Sequence, residues 1–365
     1  MQLGIIGLAR SGKTTVFNAV TRSKAHVGGY GASSQPNVGV VNVPDERVDR
    51  LAKMYKPKKT TYATIQYVDF PAAGESFGKG EGPAGKFIND LARTDALIHV
   101  VRAFEDETVP HPEVTVDPDR DIATMDLELT FADLAIIEKR LQKLETELRS
   151  MKPGERDALQ RTKEVLLRLR AALENEQAIR ELDLSDEDGK ALEGSQFLTW
   201  LPMLIVVNIG DDDLPRRAAI EEEFRAKYRR KGRDVAVFSG KFEMELNDLN
   251  DEEAEEFRAS VGVTESGMAE AIRVSYLLLG LISFLTAGPD ECRAWTVTAG
   301  STAPEAAGKI HSDLRRGFIR AEVIRFDDLM ACGSEAEARK KGLLRTEGKQ
   351  YVVQDGDILN ILFNV

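Results

Sequence analysis

The chain has 365 residues, of which 42% are hydrophobic and 30% are charged, and its formal net charge is −12. This balance is typical of a soluble globular protein with two or three domains, and such an acidic chain repels nucleic acid except at a local basic patch. No apolar run reaches the roughly 18 residues of a membrane span. With two cysteines and no signal-peptide pattern, we expect a cytoplasmic protein that uses no disulfides and no membrane.

Short Val- and Ile-rich runs, separated by helical patterns, recur through much of the chain. They are MQLGII at the start, followed by TIQYVDF, ALIHVVRAF, MLIVVNI and DVAVFSG. Such runs predict an α/β fold with a mostly parallel sheet covered by helices. His99 lies within one of these runs, and we interpret it as a packed strand residue. The apolar stretch at 274–288 is interpreted as a buried helix that enters a turn.

A different pattern fills residues 126–195. Apolar residues follow one another there at heptad spacing, namely Leu134, Ile137, Leu141, Leu144 and Leu148. The sequence MKPG at 151–154 ends this helix, and a second leucine stripe follows at 159–173. We predict an antiparallel helical hairpin inserted into the sheet domain.

The pattern of the C-terminal part predicts short strands with turn residues between them and one helix, APEAAGKIHSDLRRG. This composition favours a small α+β domain over residues 279–365. The predicted domains are therefore a sheet domain of residues 1–125 and 196–278, the hairpin of residues 126–195, and this C-terminal domain.

Residues 7–14, GLARSGKT, fit the phosphate-loop pattern G-x-x-x-x-G-K-[ST] without a mismatch. The glycines allow backbone N–H groups to point at phosphate oxygens, the lysine reaches the β- and γ-phosphates, and the threonine hydroxyl ligates Mg²⁺. A predicted strand precedes the loop and a predicted helix follows it, as this pattern requires. The nucleotide-binding residues predicted here are Gly7, Ala9, Arg10, Ser11, Gly12, Lys13, Thr14 and Thr15.

Polar residues also end three later strands. Asp69 ends TIQYVDF, where a second carboxylate for the metal is expected, and the alternative is that Asp69 caps a helix. Asn208 and Asp211 follow MLIVVNI, and Ser239-Gly240-Lys241 follows the next strand. This order of motifs is typical of GTPase-like switch proteins: a phosphate loop, a metal carboxylate, and two loops that contact the nucleotide base. The last two, which follow MLIVVNI and the next strand, are called the base-side loops. The alternative for IVVNIGDDD is a strand that runs into a solvated acidic loop.

Longer stretches resemble the YchF subfamily of Obg-related P-loop NTPases over nearly the whole chain. The most specific are PNVGVVNVPDERVDRLA, LARTDALIHVVRAFED, VDPDRDI, FADLAIIEKRLQKLE and a C-terminal block that begins TAGPDECRAWTVTAG. The resemblance implies a P-loop G-domain, a coiled-coil insert and a C-terminal TGS domain of ubiquitin-like β-grasp shape. It also implies nucleotide hydrolysis coupled to binding of the ribosome or a translation factor.

At the expected catalytic and metal-binding positions, this chain keeps some of the family's residues and replaces others. Ser33 falls where the family's first switch has a threonine for Mg²⁺, and Asp69 matches the family's aspartate, which implies that it holds a metal-bound water. Ala72 replaces an expected glycine, and no glutamine near Asp69 orients water, so intrinsic turnover is expected to be slow. Arg10 replaces the family's asparagine. Its guanidinium is either a source of charge in cis, as in an arginine finger, or an exposed group on the loop rim.

The motif predicted to contact the base, NIGD, is intermediate between the motif of GTPases and that of YchF proteins. GTPases use Asn-Lys-x-Asp, and YchF proteins usually have Asn-x-x-Glu with relaxed guanine selectivity. This chain has NIGD at 208–211, which lacks the lysine but keeps the shorter acid. We favour ATP over GTP as the substrate and leave GTP open, and Asn208 and Asp211 are predicted to face the base.

The hairpin segment 139–170 carries ten Lys or Arg and five Asp or Glu, a net charge of +5 in an acidic chain. It is interpreted either as a contact for ribosomal RNA or as a solvated helix face. The chain is thus predicted to be a monomeric Mg²⁺-dependent NTPase near the ribosome, with Lys13, Asp69 and Arg10 as catalytic residues. The alternatives are a GTP-specific switch and a nucleotide-gated scaffold with negligible turnover.

Overall fold

The computed structural model describes residues 1–23, 36–70, 83–150, 156–263 and 265–364 of the protein. Predictions for Ser33, for Ala72 and for the helix stop at 151–154 lie outside these residues. None of the helices in the described ranges is long and apolar enough to cross a membrane.

The contacts of the chain divide it into two compact units. The first comprises Met1–Gly39 and Gln66–Ala271, and the second comprises Val40–Ile65 and Ile272–Val365. Segment 40–65, which is predicted from the sequence to belong to the sheet domain, thus packs with the C-terminal residues. The boundaries drawn from the sequence stay a prediction.

The described residues form strands and helices throughout both units. The strands are β1 Gln2–Ile6, β2 Asn37–Asn42, β3 Lys59–Thr61, β4 Thr64–Asp69, β5 Ala96–Ala103, β6 Met203–Ile209, β7 Arg233–Phe238, β8 Leu281–Thr286, β9 Glu291–Thr298, β10 Phe318–Arg325, β11 Arg345–Glu347 and β12 Asp357–Phe363. The helices are α1 Lys13–Thr21, α2 Glu46–Tyr55, α3 Pro83–Leu91, α4 Pro118–Ser150, α5 Asp157–Glu174, α6 Asp186–Ala191, α7 Arg217–Tyr228, α8 Gly240–Asn247, α9 Asp251–Ser260, α10 Gly267–Leu278, α11 Ala303–Ile310, α12 Ser312–Arg316, α13 Phe326–Cys332 and α14 Glu335–Lys340.

A six-stranded sheet in the order β2-β4-β1-β5-β6-β7 forms the centre of the first unit. The pairs β1–β4, β1–β5, β5–β6 and β6–β7 are all parallel. The central strands are apolar because helices cover both faces, and all seven residues of β6 are buried. The mostly parallel sheet predicted from the sequence is confirmed, and it brings the carboxyl ends of β1, β4, β6 and β7 to one edge.

The helical insert is built on α4 and α5, which share an apolar core. Of the heptad positions, Ile137, Leu141 and Leu144 are buried with Leu166 and Leu169 in one cluster. This confirms the inserted helices. However, α4 starts at Pro118 rather than near residue 126, because its first turns bury Ile122, Met125 and Leu129 in the core of the sheet. One continuous helix thus belongs to both the sheet layer and the insert.

The base of the insert is fixed by a buried carboxylate. Asp133 on α4 is fully buried and accepts hydrogen bonds from Leu198 N at 2.9 Å, Thr199 N at 2.8 Å and Thr199 Oγ1 at 2.6 Å. These donors lie just before β6, where the chain returns from the insert to the sheet. The carboxylate therefore satisfies two buried backbone amides that have no strand or helix partner.

The second unit contains a sheet in the order β11-β10-β12-β8-β9-β3, with α11 and its neighbours packed on it. Its edge strand β3 comes from the segment 40–65 and pairs in parallel with β9. The helix predicted in stretch 274–288 is confined to its first part: α10 ends at Leu278, a turn follows, and residues Leu281–Thr286 form strand β8. Gly280, with φ +65°, makes this reversal, since its left-handed backbone is costly for other residues.

Candidate nucleotide-binding site

The phosphate loop connects β1 to α1, as the sequence predicts. Gly7 and Gly12 have φ of +151° and +92°, which favour glycine. A Cβ on Gly7 would lie 2.4 Å from Val100 O, and one on Gly12 would lie 2.3 Å from Asn208 Nδ2. Both glycines are therefore required by space as well as by backbone conformation.

Lys13 begins α1 and is almost fully buried beneath the loop. Its Nζ donates to Gly7 O at 2.9 Å and to Leu8 O at 3.0 Å. Burial lowers the pKa of Lys13 to about 8, and the nearby Asp69 carboxylate partly offsets this effect. The ammonium is therefore held at the loop by two neutral carbonyls, which a bound phosphate can replace with a charged partner.

Thr14 and Asp69 form the candidate metal site. Thr14 Oγ1 donates to Asp69 Oδ2 at 3.0 Å, and the aspartate is buried at the end of β4. Burial raises the pKa of Asp69, whereas Thr14 and Lys13 act in the opposite direction. Among the described residues, Asp69 Oδ1 and Ser11 Oγ are buried without a hydrogen-bond partner.

This pair fits Mg²⁺. The ion takes oxygen ligands at about 2.1 Å in an octahedron, so adjacent ligands lie about 3 Å apart. The hydroxyl and carboxylate oxygens already have that separation, and the unsatisfied Oδ1 leaves a position for a metal-bound water. Bound there, the ion would supply positive charge to the phosphates. Ser33, the third predicted ligand, lies outside the described residues.

Asn208, at the end of β6, joins two loops. Its Nδ2 donates to Ser11 O at 3.1 Å, and its Oδ1 accepts from Gly240 N at 2.9 Å. The side chain is buried, and Thr15 also lies against Gly240. Both ends of the amide thus hold the phosphate loop against the loop after β7, and the predicted contact of Asn208 with the base stays a prediction.

Asp211 lies beside the loop that follows β7. Ser239 Oγ donates to Asp211 Oδ1 at 2.8 Å and also caps α8 by accepting from Phe242 N at 3.2 Å. Lys241 Nζ is 3.4 Å from Asp211 Oδ2. The structure thus brings together the base-side residues predicted from two separate strand ends. Ile209, at the position where GTPases have lysine, is buried in the core.

Arg10 adopts φ +62° on the rim of the loop, and Ala9 beside it is exposed. The Arg10 guanidinium donates through Nη1 to Pro110 O at 2.8 Å. In this arrangement Arg10 contacts the segment after β5. Its proposed role as a source of charge in cis stays a prediction.

Arg102, which was not predicted from the sequence as a functional residue, supports that same segment. It is buried at the end of β5 and donates to Phe104 O at 3.0 Å and Val109 O at 2.7 Å. A charged residue within the apolar run ALIHVVRAF was the available signal. His99, in the same strand, is fully buried, which confirms the interpretation of a packed strand residue, and burial lowers its pKa to about 3.

Comparison with known proteins identifies relatives that match the chain over nearly its whole length. A family model described as a 50S ribosome-binding GTPase matches residues 2–125, and the model YchF-GTPase_C, described as a protein of unknown function, matches residues 281–364. The chain is 40% identical to the ribosome-binding ATPase YchF of Bacillus subtilis (strain 168), over 99% of both chains. The chain belongs to the YchF family.

Other YchF proteins support the same conclusion. The ribosome-binding ATPase YchF of Escherichia coli O157:H7 is 38% identical over 99% of both chains. The structure of the Schizosaccharomyces pombe YchF GTPase superposes with a TM-score of 0.84 at 31% identity, covering 99% of this chain and 97% of that one. The resemblance to YchF proteins and the α/β fold class predicted from the sequence are confirmed.

Proposed function

We propose that the protein is a Mg²⁺-dependent nucleoside triphosphatase that favours ATP over GTP and binds the ribosome. The observation that carries the proposal is the hydrogen-bonded pair of Thr14 and Asp69 beneath the phosphate loop. A hydroxyl and a carboxylate at the spacing of adjacent Mg²⁺ ligands have a direct use in phosphoryl transfer. Lys13 binds the β- and γ-phosphates, and Asp69 orients a metal-bound water.

Preference for ATP is supported by the base-side loops. Ile209 is buried where GTPases have lysine, and Lys241 lies near the carboxylate of Asp211. The bacterial relatives are named ribosome-binding ATPases, whereas the fission yeast relative is named a GTPase. A GTP-specific switch therefore remains the second candidate, supported by the aspartate at position 211.

Ribosome binding is supported by the names of the relatives and by the basic insert. In the insert, Lys143 and Arg170 form ion pairs with Glu147 and Glu174. Exposed pairs of this kind contribute about 1 kcal/mol or less, so RNA phosphates can compete for these side chains. We propose that the insert contacts ribosomal RNA. We also propose that the protein is a monomer and that it binds the ribosome in the cytoplasm.

A phosphate-release assay tests the proposal. Purified protein is incubated with ATP or GTP, with Mg²⁺ or with a chelator, and with or without ribosomes. We expect slow release from ATP, on the order of 10⁻³ per second without a partner, that requires Mg²⁺ and is abolished in Lys13→Ala. If release from ATP in every condition equals that of Lys13→Ala, the protein is a nucleotide-gated scaffold and the hydrolase proposal is wrong.

A further inference from the structure

Lys241 lies directly beside the acid that is predicted to face the base. Its Nζ is 3.4 Å from Asp211 Oδ2, while Ser239 Oγ donates to the other oxygen, Oδ1, at 2.8 Å. The side chain of Asp211 is 41% exposed and that of Lys241 is 73% exposed. The carboxylate thus has a neighbour on each oxygen, and the ion pair faces solvent.

The charge of Lys241 is favoured by its surroundings. The carboxylates of Asp211, Glu245 and Asp106 all raise the pKa of Lys241. The ammonium is therefore charged at neutral pH and remains near Asp211. No second cation comes from β6, because the position after Asn208 is the buried Ile209.

The ion pair offers a different hydrogen-bonding pattern from that of a carboxylate alone. A free carboxylate has only acceptors, and two acceptors match the N1–H and N2–H donors of guanine. A carboxylate beside an ammonium offers one acceptor and one donor. Adenine has the complementary pattern, because its N6 amino group donates and its N1 accepts.

We propose that Lys241 is a specificity-determining residue, whose ammonium masks Asp211 Oδ2 from guanine and donates to N1 of adenine, while Asp211 accepts from the N6 amino group. Guanine would have to displace the ammonium and would also place its N1–H donor against another donor, which is unfavourable. This inference rests on the proposed function and identifies the residue behind its base preference.

Calorimetric titration with nucleoside diphosphates tests this assignment without turnover. The ligands are ADP, GDP and 1-deaza-ADP, each with Mg²⁺, and 1-deaza-ADP has a C–H group in place of the N1 acceptor. The variant is Lys241→Met, which keeps an unbranched side chain of similar length and removes its charge. The matched control is Lys340→Met in the second unit, since Lys340 is 71% exposed and pairs with Glu337 at 2.6 Å.

In the wild type and in Lys340→Met we expect ADP to bind more tightly than either GDP or 1-deaza-ADP. In Lys241→Met the ratio of ADP to GDP affinity should fall about two- to five-fold, the range for one exposed charged interaction. The same variant should bind ADP and 1-deaza-ADP equally. Circular dichroism melts check that both variants fold.

The failures of the two proposals are distinguishable. If the wild type prefers ADP and Lys241→Met keeps both affinity ratios of the wild type, Lys241 does not determine specificity, although the ATP preference stands. If the wild type binds GDP more tightly than ADP, the ATP preference and the role of Lys241 both fail.

Discussion

At the scale of single residues, Asn208 connects the phosphate loop to the base-side loop after β7. Its amide uses one end for Ser11 O and the other for Gly240 N. The sequence predicted that Asn208 belongs to the site, because an asparagine ended a buried strand in the right order of motifs. It did not predict this connection, since the two partner groups are backbone atoms whose positions depend on the fold of both loops.

The variant Asn208→Ala tests the connection. It leaves a buried carbonyl and a buried amide unpaired, each at a cost of about 1–3 kcal/mol. We expect the free energy of unfolding to fall by about 2–4 kcal/mol and nucleotide affinity to fall at least about tenfold, because the phosphate loop loses its support. Urea denaturation and calorimetry measure both quantities. Asp212→Ala, in an exposed neighbour, is the control, and equal behaviour of the two variants would contradict this role.

Lys13 gives a pH dependence at the same scale. Burial lowers the pKa of Lys13 to about 8, and bound phosphates must raise it by favouring the charged form. Well below pH 8 the lysine is already protonated, and binding takes up almost no proton there. Above pH 8 binding requires proton uptake by Lys13, so affinity should weaken by up to about tenfold per pH unit.

Titration of an ATP analogue with Mg²⁺ in buffers of different ionisation enthalpy measures this uptake. We expect close to one proton taken up at pH 9 and close to none by Lys13 at pH 7. Equal proton uptake at both pH values would show that Lys13 titrates normally in the free protein.

At the scale of elements, α4 belongs to two structures at once. Its first turns pack on the parallel sheet, and its later turns form the core of the insert. The heptad spacing predicted the later turns, because Ile137, Leu141 and Leu144 repeat on one face. The start of α4 at Pro118 could not be predicted from the heptad spacing, because the residues that pack on the sheet lie on a different face of the same helix.

Asp133 lies where these two environments meet, and Asp133→Ala tests its contribution. Removing the carboxylate leaves Leu198 N and Thr199 N without their partner, so the free energy of unfolding should fall by about 2–4 kcal/mol. Glu138→Ala, in an exposed position of the same helix, should change it by about 0.5 kcal/mol or less. Denaturant titration of the two variants measures the difference, and similar midpoints would mean that Asp133 does not stabilise the base of the insert.

At the scale of the whole molecule, the second unit is assembled from two distant parts of the chain. Strand β3 pairs with β9, and Arg47 on α2 pairs with Asp355 at 2.6 Å and with Asp45 at 2.8 Å. Asp355 also accepts from Ser283 N at 2.9 Å. The sequence predicted the C-terminal strands from local patterns, but a partner more than 200 residues away leaves no local signal at short strands such as KTT.

The variant Arg47→Met tests this assembly. Arg47 is about one quarter exposed, and its loss leaves Asp45 and Asp355 without their cation. We expect the free energy of unfolding to fall by about 1–3 kcal/mol, in the range for a hydrogen bond to a charged group. Lys53→Met, in an exposed position of the same helix, is the matched control. Equal thermal stability of the two variants would show that Arg47 does not hold segment 40–65 to the C-terminal residues.

The most direct test of the central claim is a calorimetric titration of the wild-type protein with non-hydrolysable ATP and GTP analogues, with Mg²⁺ and with a chelator. The arrangement of Thr14, Asp69 and the Asp211–Lys241 pair predicts tighter binding of the ATP analogue, and a clear loss of affinity when Mg²⁺ is removed. Tighter binding of the GTP analogue would contradict the assignment of the base-side loops, and affinity that does not depend on Mg²⁺ would contradict the assignment of the metal site.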